Sequence, residues 1–232
     1  MFDSKNISEL YNEIPLEDWK SVLNENMDYH FLDITLENNS IFNRVETVLD
    51  VGCGWGGTMR DLSRLYNIKS IGITNTPQQK EYIGDNAILG DANTLVLKEK
   101  FDLAIFIQSF CHMEDRALYL ASNNTDKVFM SDFVQLNSSE DTVWDDWLSV
   151  IRTEKHFDDL FKDIGFKVKS KVIHPYEVWY KNAEYWLSNI KQNNITNGYQ
   201  MMELAKFCSY VEGKLFKNRN ISIIDIYAER IK

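Results

Sequence analysis

The 232-residue chain carries 35 acidic and 25 basic side chains, which give it a formal net charge of −10. This balance argues against a nucleic-acid or anionic-membrane partner, because binding to phosphates depends on clustered lysine and arginine. A small or cationic substrate fits the charge better. Because 44% of the residues are hydrophobic, a chain of this length can bury a substantial core, and we expect one domain with insertions.

The cysteines indicate a reducing environment. Cys53, Cys111 and Cys208 are odd in number and far apart, and no C-x-x-C pair occurs, so we expect neither a disulfide framework nor a zinc or other metal site. The opening MFDSKNISEL lacks a basic segment followed by an apolar stretch. No later run approaches the roughly 18 apolar residues of a membrane span. We therefore expect a cytoplasmic protein without a membrane partner.

Between residues 46 and 133, short apolar and β-branched runs alternate with helical patterns. Strands are predicted at ETVLDV (46–51), IKSIGIT (68–74), AILGD (87–91), FDLAIFIQ (101–108) and DKVFMSDF (126–133). Apolar residues at helical spacing follow the first strand. Thr76, Pro77 and Gln79 predict an N-cap, a first-turn proline and a capping-box partner for the next helix. Strands alternating with helices predict a parallel sheet that binds ligands at the carboxyl ends of its strands.

The final third of the chain has a different pattern. Thr153 is predicted to cap the N-terminus of a helix that ends at Gly165. FKVKSKVIH (166–174) alternates like a strand with one solvent-exposed face. Apolar residues return to helical spacing between Trp179 and Ile190. A last strand is predicted at ISIIDIYAERI (221–231).

One short segment holds an unusual share of the glycines. Residues 48–57 read VLDVGCGWGG, so four of the ten glycines fall within six positions directly after an apolar run. A glycine turn between a strand and its helix allows backbone N–H groups to approach a ligand closely. The spacing is G-x-G-x-G-G, not the G-x-G-x-x-G of dinucleotide sites. Asp50 stands two residues before the first glycine, and Thr74 ends the second strand.

This combination resembles the first motif of the class I S-adenosylmethionine-dependent methyltransferases. The resemblance covers roughly residues 26 to 175 and implies a transferase that uses S-adenosylmethionine. It also implies an α/β fold with a Rossmann-like methyltransferase sheet. That sheet is mostly parallel with a final antiparallel strand, and it has helices on both faces and a helical lid.

Further segments refine the resemblance. GITNTPQQ (72–79) resembles the cyclopropane-synthase-like and small-molecule branch, where a threonine replaces the usual ribose-binding acid. GDAN (90–93) matches the segment that binds adenine in the family. QSFCHM (108–113) matches the segment after strand four that lies along the methionine moiety and the reaction centre. DYHF (28–31) resembles a segment that closes over the cofactor in sarcosine and tocopherol methyltransferases. The cofactor-binding residues implied are Asp50, Gly52, Gly54, Trp55, Thr74, Gln79, Asp91, Ala92, Gln108 and Tyr29.

The chain also departs from the cyclopropane synthases. Their fourth-strand motif carries a glutamate that helps to bind the carbonate base, and Cys111 stands at the matching position here. The histidine that those enzymes carry near strand five is absent from VFMSDF. Lipid cyclopropanation is therefore not expected.

Each of these residues also has a structural interpretation, and the sequence leaves both open. The glycines permit tight packing of helix on strand, and Asp50 can bind the turn amides instead of a ligand. Gln79 is as well suited to capping as to cofactor contact. His112 is the first candidate for a catalytic base and Asp132 the second, against a buried structural histidine and a loop cap. The aromatic residues beyond position 140 suit either a pocket lining or ordinary packing.

The expected reaction is methyl transfer to a nitrogen, oxygen or carbon nucleophile of a small molecule, by in-line attack on the sulfonium methyl group. The alternatives are a macromolecular methyltransferase, acting on protein or RNA, and a cofactor-binding member of the fold that does not methylate. We expect one domain with four parts: an N-terminal cover (1–40), a cofactor-binding core (41–133), lid and substrate insertions with strand six (134–215), and the final strand (216–232). The substrate, the acceptor atom and the oligomeric state are left open.

Overall fold

A computed structural model describes most of the chain, with gaps near its ends and in its second half. The described residues are 8–9, 11–12, 14–23, 39–144, 149–175, 184–185, 187–193 and 220–232. Among the described residues, the helices with defined bounds are α1 (Leu16–Val22), α2 (Asn39–Phe42), α3 (Gly57–Tyr66), α4 (Pro77–Ile83), α5 (Asp115–Ser122) and α6 (Glu154–Asp163). Residues 8–9, 11–12, 184–185 and 187–192 are helical as well. Short 3₁₀ turns cover Gly84–Asn86 and Phe110–His112.

Nine described strands form one sheet. They are β1 (Thr47–Val51), β2 (Lys69–Thr74), β3 (Ala87–Leu89), β4 (Leu103–Ile107), β5 (Lys127–Gln135), β6 (Thr142–Trp144), β7 (Ser149–Thr153), β8 (Phe166–His174) and β9 (Ile221–Arg230). The first five strands are parallel to one another, in the order β3-β2-β1-β4-β5. β9 is antiparallel to both β5 and β8. The predicted α/β sheet, mostly parallel with a final antiparallel strand, is confirmed.

Strand β5 has three neighbours. All nine of its residues pair with β9 along one side. On the other side β4 pairs with residues 128–131, and β7 pairs in parallel with Val134 and Gln135. The hairpin of β6 and β7 therefore lies beyond the carboxyl end of β4, at the edge where parallel sheets bind ligands.

Helices cover both faces of the sheet, as the resemblance implied. One face of the sheet packs against the apolar residues of α5 and α6, including Leu118 and Phe157. The other packs against Phe42 of α2 and Leu62 of α3. Parallel strands covered on both faces read as nearly continuous apolar runs, which is why β1, β4 and β5 were recognisable from the sequence.

The local predictions have mixed outcomes. The six predicted strands up to 174 and the last strand are all present, and α6 begins at a Thr153 cap whose Oγ1 accepts a hydrogen bond from His156 N at 3.1 Å. The capping box at α4 is wrong. Thr76 is the N-cap and Pro77 the first helical residue, but Thr76 makes no side-chain capping bond. β6 and β7 were not predicted.

Candidate cofactor and active site

The residues predicted to bind the cofactor follow one edge of the sheet. The carboxyl ends of β3, β2, β1 and β4 lie side by side because these strands are parallel neighbours. Across that edge lie Asp91 and Ala92 after β3, Thr74 at the end of β2, Gly52 and Gly54 after β1, and Gln108 after β4, with Asp132 inside β5. Tyr29 and the rest of DYHF lie outside the described residues.

The glycine turn after β1 has a backbone that other residues rarely adopt. Gly52, Gly54 and Gly56 have φ values of 82°, 51° and 77°, all in the left-handed region. Gly52 N and Cys53 N both donate to Ile73 O of β2, at 2.9 and 3.0 Å. Gly56 is the N-cap of α3, so the turn leads straight into a helix N-terminus. The first N–H groups of a helix have no partner within the helix, so this N-terminus can bind a ligand.

The bare Cα of Gly52 allows two turns to touch. A Cβ added there would lie 2.5 Å from Ser109 Cβ and 2.8 Å from Met113 Cε. Ser109 is held in place because its Oγ donates to Val51 O at 2.6 Å. The turn after β1 and the turn after β4 are thus packed directly against each other.

Trp55, inside the glycine turn, packs in the interior. Its side chain is fully buried, and its ring lies 6.1 Å from Trp19 and 5.5 Å from Tyr82, centroid to centroid. Its carbonyl accepts a hydrogen bond from Arg60 Nη1 at 2.9 Å. The aromatic cluster joins α1 and α4 to the turn. A cofactor contact from Trp55 therefore stays a prediction, and the packing explains the residue without one.

Thr74 and Gln79 form a buried pair. Thr74 Oγ1 donates to Gln79 Oε1 at 2.6 Å and accepts from Thr76 N at 3.1 Å. This bond is why Gln79 does not close a capping box: its side chain turns toward the end of β2. The pair lies at the edge where the resemblance predicts the ribose.

The turn after β3 reaches across to the turn after β4. Asp91 Oδ1 accepts a hydrogen bond from Asn93 N at 2.9 Å, and Asn93 Oδ1 accepts one from Glu114 N at 2.9 Å. Gly90 N donates to Thr74 O at 2.9 Å. The predicted adenine residues are consequently held against the end of β2 and against the segment that follows β4.

The residue that follows β4 is strained. Gln108 has a φ of 52°, uncommon for a residue other than glycine, and its N–H donates to Ser131 O at 2.8 Å. Residues in this region of backbone space cluster at functional sites. This is the position that the resemblance assigns to the methionine moiety.

Asp132 holds the 3₁₀ turn. Its Oδ2 accepts a hydrogen bond from Cys111 N at 3.0 Å, and its Oδ1 accepts one from Phe133 N at 2.7 Å. Burial raises the pKa of Asp132, although the two backbone N–H groups and the nearby His112 and Arg152 act in the opposite direction. The pKa of the buried Cys111 thiol is raised well above its usual value, by burial first and by the Asp132 carboxylate second.

His112 ends the same turn and contacts β7. Its Nδ1 lies 3.2 Å from Ser149 Oγ, and the side chain is half-buried. The turn after β4 therefore presents His112 at the ligand edge, with its ring orientation fixed by a residue that comes much later in the chain.

Comparison with known proteins agrees with the observed fold. The family model of mycolic acid cyclopropane synthetase matches residues 17–99. The cyclopropane synthase MmaA2 of Mycobacterium tuberculosis superposes with a TM-score of 0.76 at 15% identity, covering 99% of each chain. The chain has the class I methyltransferase fold. The resemblance found in the glycine motif is confirmed.

Two further similarities concern proteins named as N-methyltransferases. N-methyltransferase 4 of Papaver somniferum is 30% identical over 88 residues, which are 32% of this chain and 25% of that protein. A coclaurine N-methyltransferase bound to N-methylheliamine and SAH superposes with a TM-score of 0.72 at 18% identity, covering 98% of this chain and 86% of that one. The chain spans about a quarter of the length of the curated relatives it matches.

Within this methyltransferase fold, Arg152 of β7 is a residue that sequence reasoning missed. Its side chain is 4% exposed. Nη1 donates to Phe110 O at 3.0 Å, Nη2 to Met113 O at 2.6 Å, and Nε to Asp115 Oδ1 at 2.9 Å. The guanidinium also lies 4.1 Å from the centre of the Phe110 ring. One buried cation thus fixes both ends of the turn that carries His112.

His156 extends this arrangement. Its Nε2 lies 2.8 Å from Asp115 Oδ2 and its Nδ1 lies 2.6 Å from Asp141 Oδ2. The hydrogen bond to Asp115 is the largest cause of the raised pKa of His156. Burial alone would raise the pKa of Asp115, but His156 and Arg152 together lower it. With carboxylates at both ring nitrogens, His156 is stabilised as the imidazolium.

Two further observations concern the described residues. None of their helices is both long and apolar enough to cross a lipid bilayer. No group of three or more histidine, cysteine or acidic side chains among them is arranged to hold a metal ion.

Proposed function

We propose that the protein transfers a methyl group from S-adenosylmethionine to a small-molecule acceptor. The observation that carries the proposal is the glycine turn at Gly52–Gly56. It has three left-handed glycines and no room for a side chain at Gly52, and it leads into the N-terminus of α3. The names of the N-methyltransferase relatives support the same activity.

The residues at this edge fit the cofactor, and we assign each a role. The glycine turn would approach the methionine portion through its backbone, and Asp50, which is 1% exposed, lies at the end of the strand beneath it. Thr74 and Gln79 would bind the ribose, and Asp91 with the Ala92 backbone the adenine. Gln108, Trp55 and Tyr29 complete the proposed set.

When bound, S-adenosylmethionine supplies a methyl carbon on a positively charged sulfur, which is open to in-line attack. The chain itself positions the acceptor, excludes water and removes a proton. We propose His112 as the group that takes this proton, with Ser149 holding its ring. Asp132 is the second candidate. Because its oxygens accept two backbone N–H bonds, we favour for it the role of holding the turn that presents His112.

The test combines binding with transfer. Calorimetry with S-adenosylhomocysteine should give binding to the wild-type protein and a loss of affinity in Gly54→Val. The matched control is Gly165→Val, because Gly165 also has a positive φ of 76° but follows α6, with no atom within 4 Å of an added Cβ. If both variants are folded and bind S-adenosylhomocysteine with equal affinity, the glycine turn does not contact the cofactor.

Transfer is then followed with methyl-labelled S-adenosylmethionine and separate pools of small metabolites, protein and RNA. Label in the small-molecule fraction supports the proposal. Label in protein or RNA supports a macromolecular methyltransferase instead, and binding without transfer to any pool supports a member of the fold that does not methylate.

We also propose the division of the single domain into an N-terminal cover (1–40), a core (41–133), a lid with substrate insertions (134–215) and a final strand (216–232). The buried free thiols of Cys53 and Cys111 support a cytoplasmic location, since reduced thiols are the rule there. The acidic net charge supports a small-molecule partner over a nucleic acid.

A further inference from the structure

A buried histidine–aspartate pair lies near the ligand edge and has no part in the mechanism above. His174 Nε2 of β8 lies 2.8 Å from Asp225 Oδ2 of β9, with side-chain exposures of 14% and 2%. Among the described residues, His174 provides the one side-chain hydrogen bond to Asp225.

The strand register places this pair beside the end of β4. Asp225 lies directly opposite Ser131 of β5, and Ser131 lies opposite Ile107 of β4. Side chains that face each other in this way lie on the same face of the sheet, and across an antiparallel pair their Cβ atoms are about 5 Å apart. The Ser131 carbonyl accepts the hydrogen bond from Gln108 N. Ser131 therefore stands between Asp225 and the strand end that carries Gln108.

Two polar atoms in this cluster are buried and have no hydrogen-bond partner among the described residues: Ser131 Oγ and Asp225 Oδ1. The two residues are 1% and 3% exposed. Most buried polar side-chain atoms in proteins are paired, because an unpaired one keeps its desolvation penalty. One ligand placed between the two facing residues can satisfy both atoms. The simplest such ligand is a water molecule.

The chemistry of the two atoms selects the ligand. A carboxylate oxygen only accepts hydrogen bonds, and a serine hydroxyl accepts as well as donates. A protonated amine offers a positive charge to the buried carboxylate and at least two N–H donors, whereas an alcohol offers no charge and one donor. Phe133 and Ile223, which face each other on the same side of the sheet, add apolar surface beside the pair.

We propose that Asp225 and Ser131 form a subsite for the amino group of an amine substrate, with His174 as a positioning residue. The bond from His174 occupies Oδ2 of Asp225 and leaves Oδ1 available to accept a hydrogen bond from the substrate. This inference rests on the proposed function, since it names the substrate class of the same site.

The experiment uses the full chain. Calorimetry first measures the affinity for S-adenosylhomocysteine, and the protein saturated with it is then titrated with 2-phenylethylamine and with 2-phenylethanol, which share one carbon skeleton. The wild-type protein should bind the amine at least 10-fold more tightly than the alcohol. Asp225→Asn should lose about 10-fold or more of the amine affinity, the low end of what a hydrogen bond to a charged group contributes, and little of the alcohol affinity.

Ser131→Ala should weaken amine binding several-fold. Its matched control is Ser70→Ala, because Ser70 Oγ is also buried without a described partner but lies at the beginning of β2, away from the ligand edge. Amine binding should also shift the ¹H–¹⁵N signals of the His174 imidazole in the wild-type protein. That readout does not depend on whether a variant folds.

The proposal is overturned if the wild-type protein binds both probes equally or neither of them. It is also overturned if folded Asp225→Asn and Ser131→Ala leave amine affinity unchanged, which would leave only a structural water between the two atoms. If the wild-type protein does not bind S-adenosylhomocysteine, the proposed function is refuted instead. Titration of the cofactor-free protein with the amine would then still test the subsite.

Discussion

Replacing Gly52 with alanine should perturb both stability and cofactor binding. The new Cβ would lie 2.5 Å from Ser109 Cβ, far inside the 3.5–4.0 Å at which carbon atoms normally touch. Ser109 cannot retreat cheaply, because its Oγ donates to Val51 O at 2.6 Å. The substitution must therefore move one of the two turns that bound the candidate cofactor site.

The expected loss of unfolding free energy in Gly52→Ala has two separate causes. An alanine in the left-handed region costs about 1 kcal/mol, and forcing an extra methyl group into a packed site costs about 1–3 kcal/mol more. Gly165→Ala isolates the first cost, since Gly165 has a similar φ of 76° and nothing lies within 4 Å of its added Cβ. We expect Gly52→Ala to lower the free energy of unfolding by about 2–4 kcal/mol and Gly165→Ala by about 1 kcal/mol.

Urea denaturation with matched m-values measures both variants. The double variant with Ser109→Gly removes the nearest clashing atom, so it should be less destabilised than the sum of the single variants by about 1 kcal/mol or more. Equal unfolding free energies for Gly52→Ala and Gly165→Ala would refute the close contact between the two turns.

Three other predictions concern the same edge of the sheet. Arg152→Met should lower the free energy of unfolding by about 2–4 kcal/mol and weaken S-adenosylhomocysteine binding, because it leaves two carbonyls and a carboxylate without their cation. Arg230→Met also removes contacts to two carbonyls, an aspartate and an aromatic ring, and it should lower stability without weakening S-adenosylhomocysteine binding. If both variants lose the same S-adenosylhomocysteine affinity, the role of Arg152 in holding the turn at the ligand edge is contradicted. Because the folded-state pKa of His156 is raised, its contribution is full below the unfolded value of 6.5 and is lost as pH rises through the raised value. The difference in unfolding free energy between the wild type and His156→Gln should therefore shrink from pH 6 to pH 9, and a constant difference would count against the imidazolium. Asp91→Ala should weaken S-adenosylhomocysteine binding by about 1–3 kcal/mol and reduce selectivity over the inosyl analogue; if calorimetry finds both retained, another residue reads the base.

The core of the sheet could be predicted because its strands are buried on both faces. The runs ETVLDV and FDLAIFIQ are short and rich in β-branched or aromatic residues, which favours buried strands over helices, and glycine or proline marks the turns that follow the first strands. The glycine motif also located the ligand edge, since its spacing depends only on local backbone geometry.

What could not be predicted depends on partners far away in sequence. β7 reads SVIRT, and an arginine inside a strand looks exposed until the carbonyls of Phe110 and Met113 are placed beside it. Gln79 fits a capping box equally well until Thr74 competes for its side chain. The His174–Asp225 pair appears only when β8 and β9 are set in register. In each case tertiary contacts decide among locally equivalent choices.

The pairing of β5 with β9 has a consequence for how the protein folds. β5 is a central strand, yet one full side of it stays open until a segment more than eighty residues later has been made. Such a long closure is slow, and an open apolar edge is a template for intermolecular pairing meanwhile. Gln135 and Ile221 are register partners, so a short turn joining them would convert this distant pairing into a hairpin. A rearranged chain in which residues 221–232 follow residue 135 through that turn, and residues 136–220 come after them through a linker, should refold faster and aggregate less during refolding than the natural order, at similar final stability.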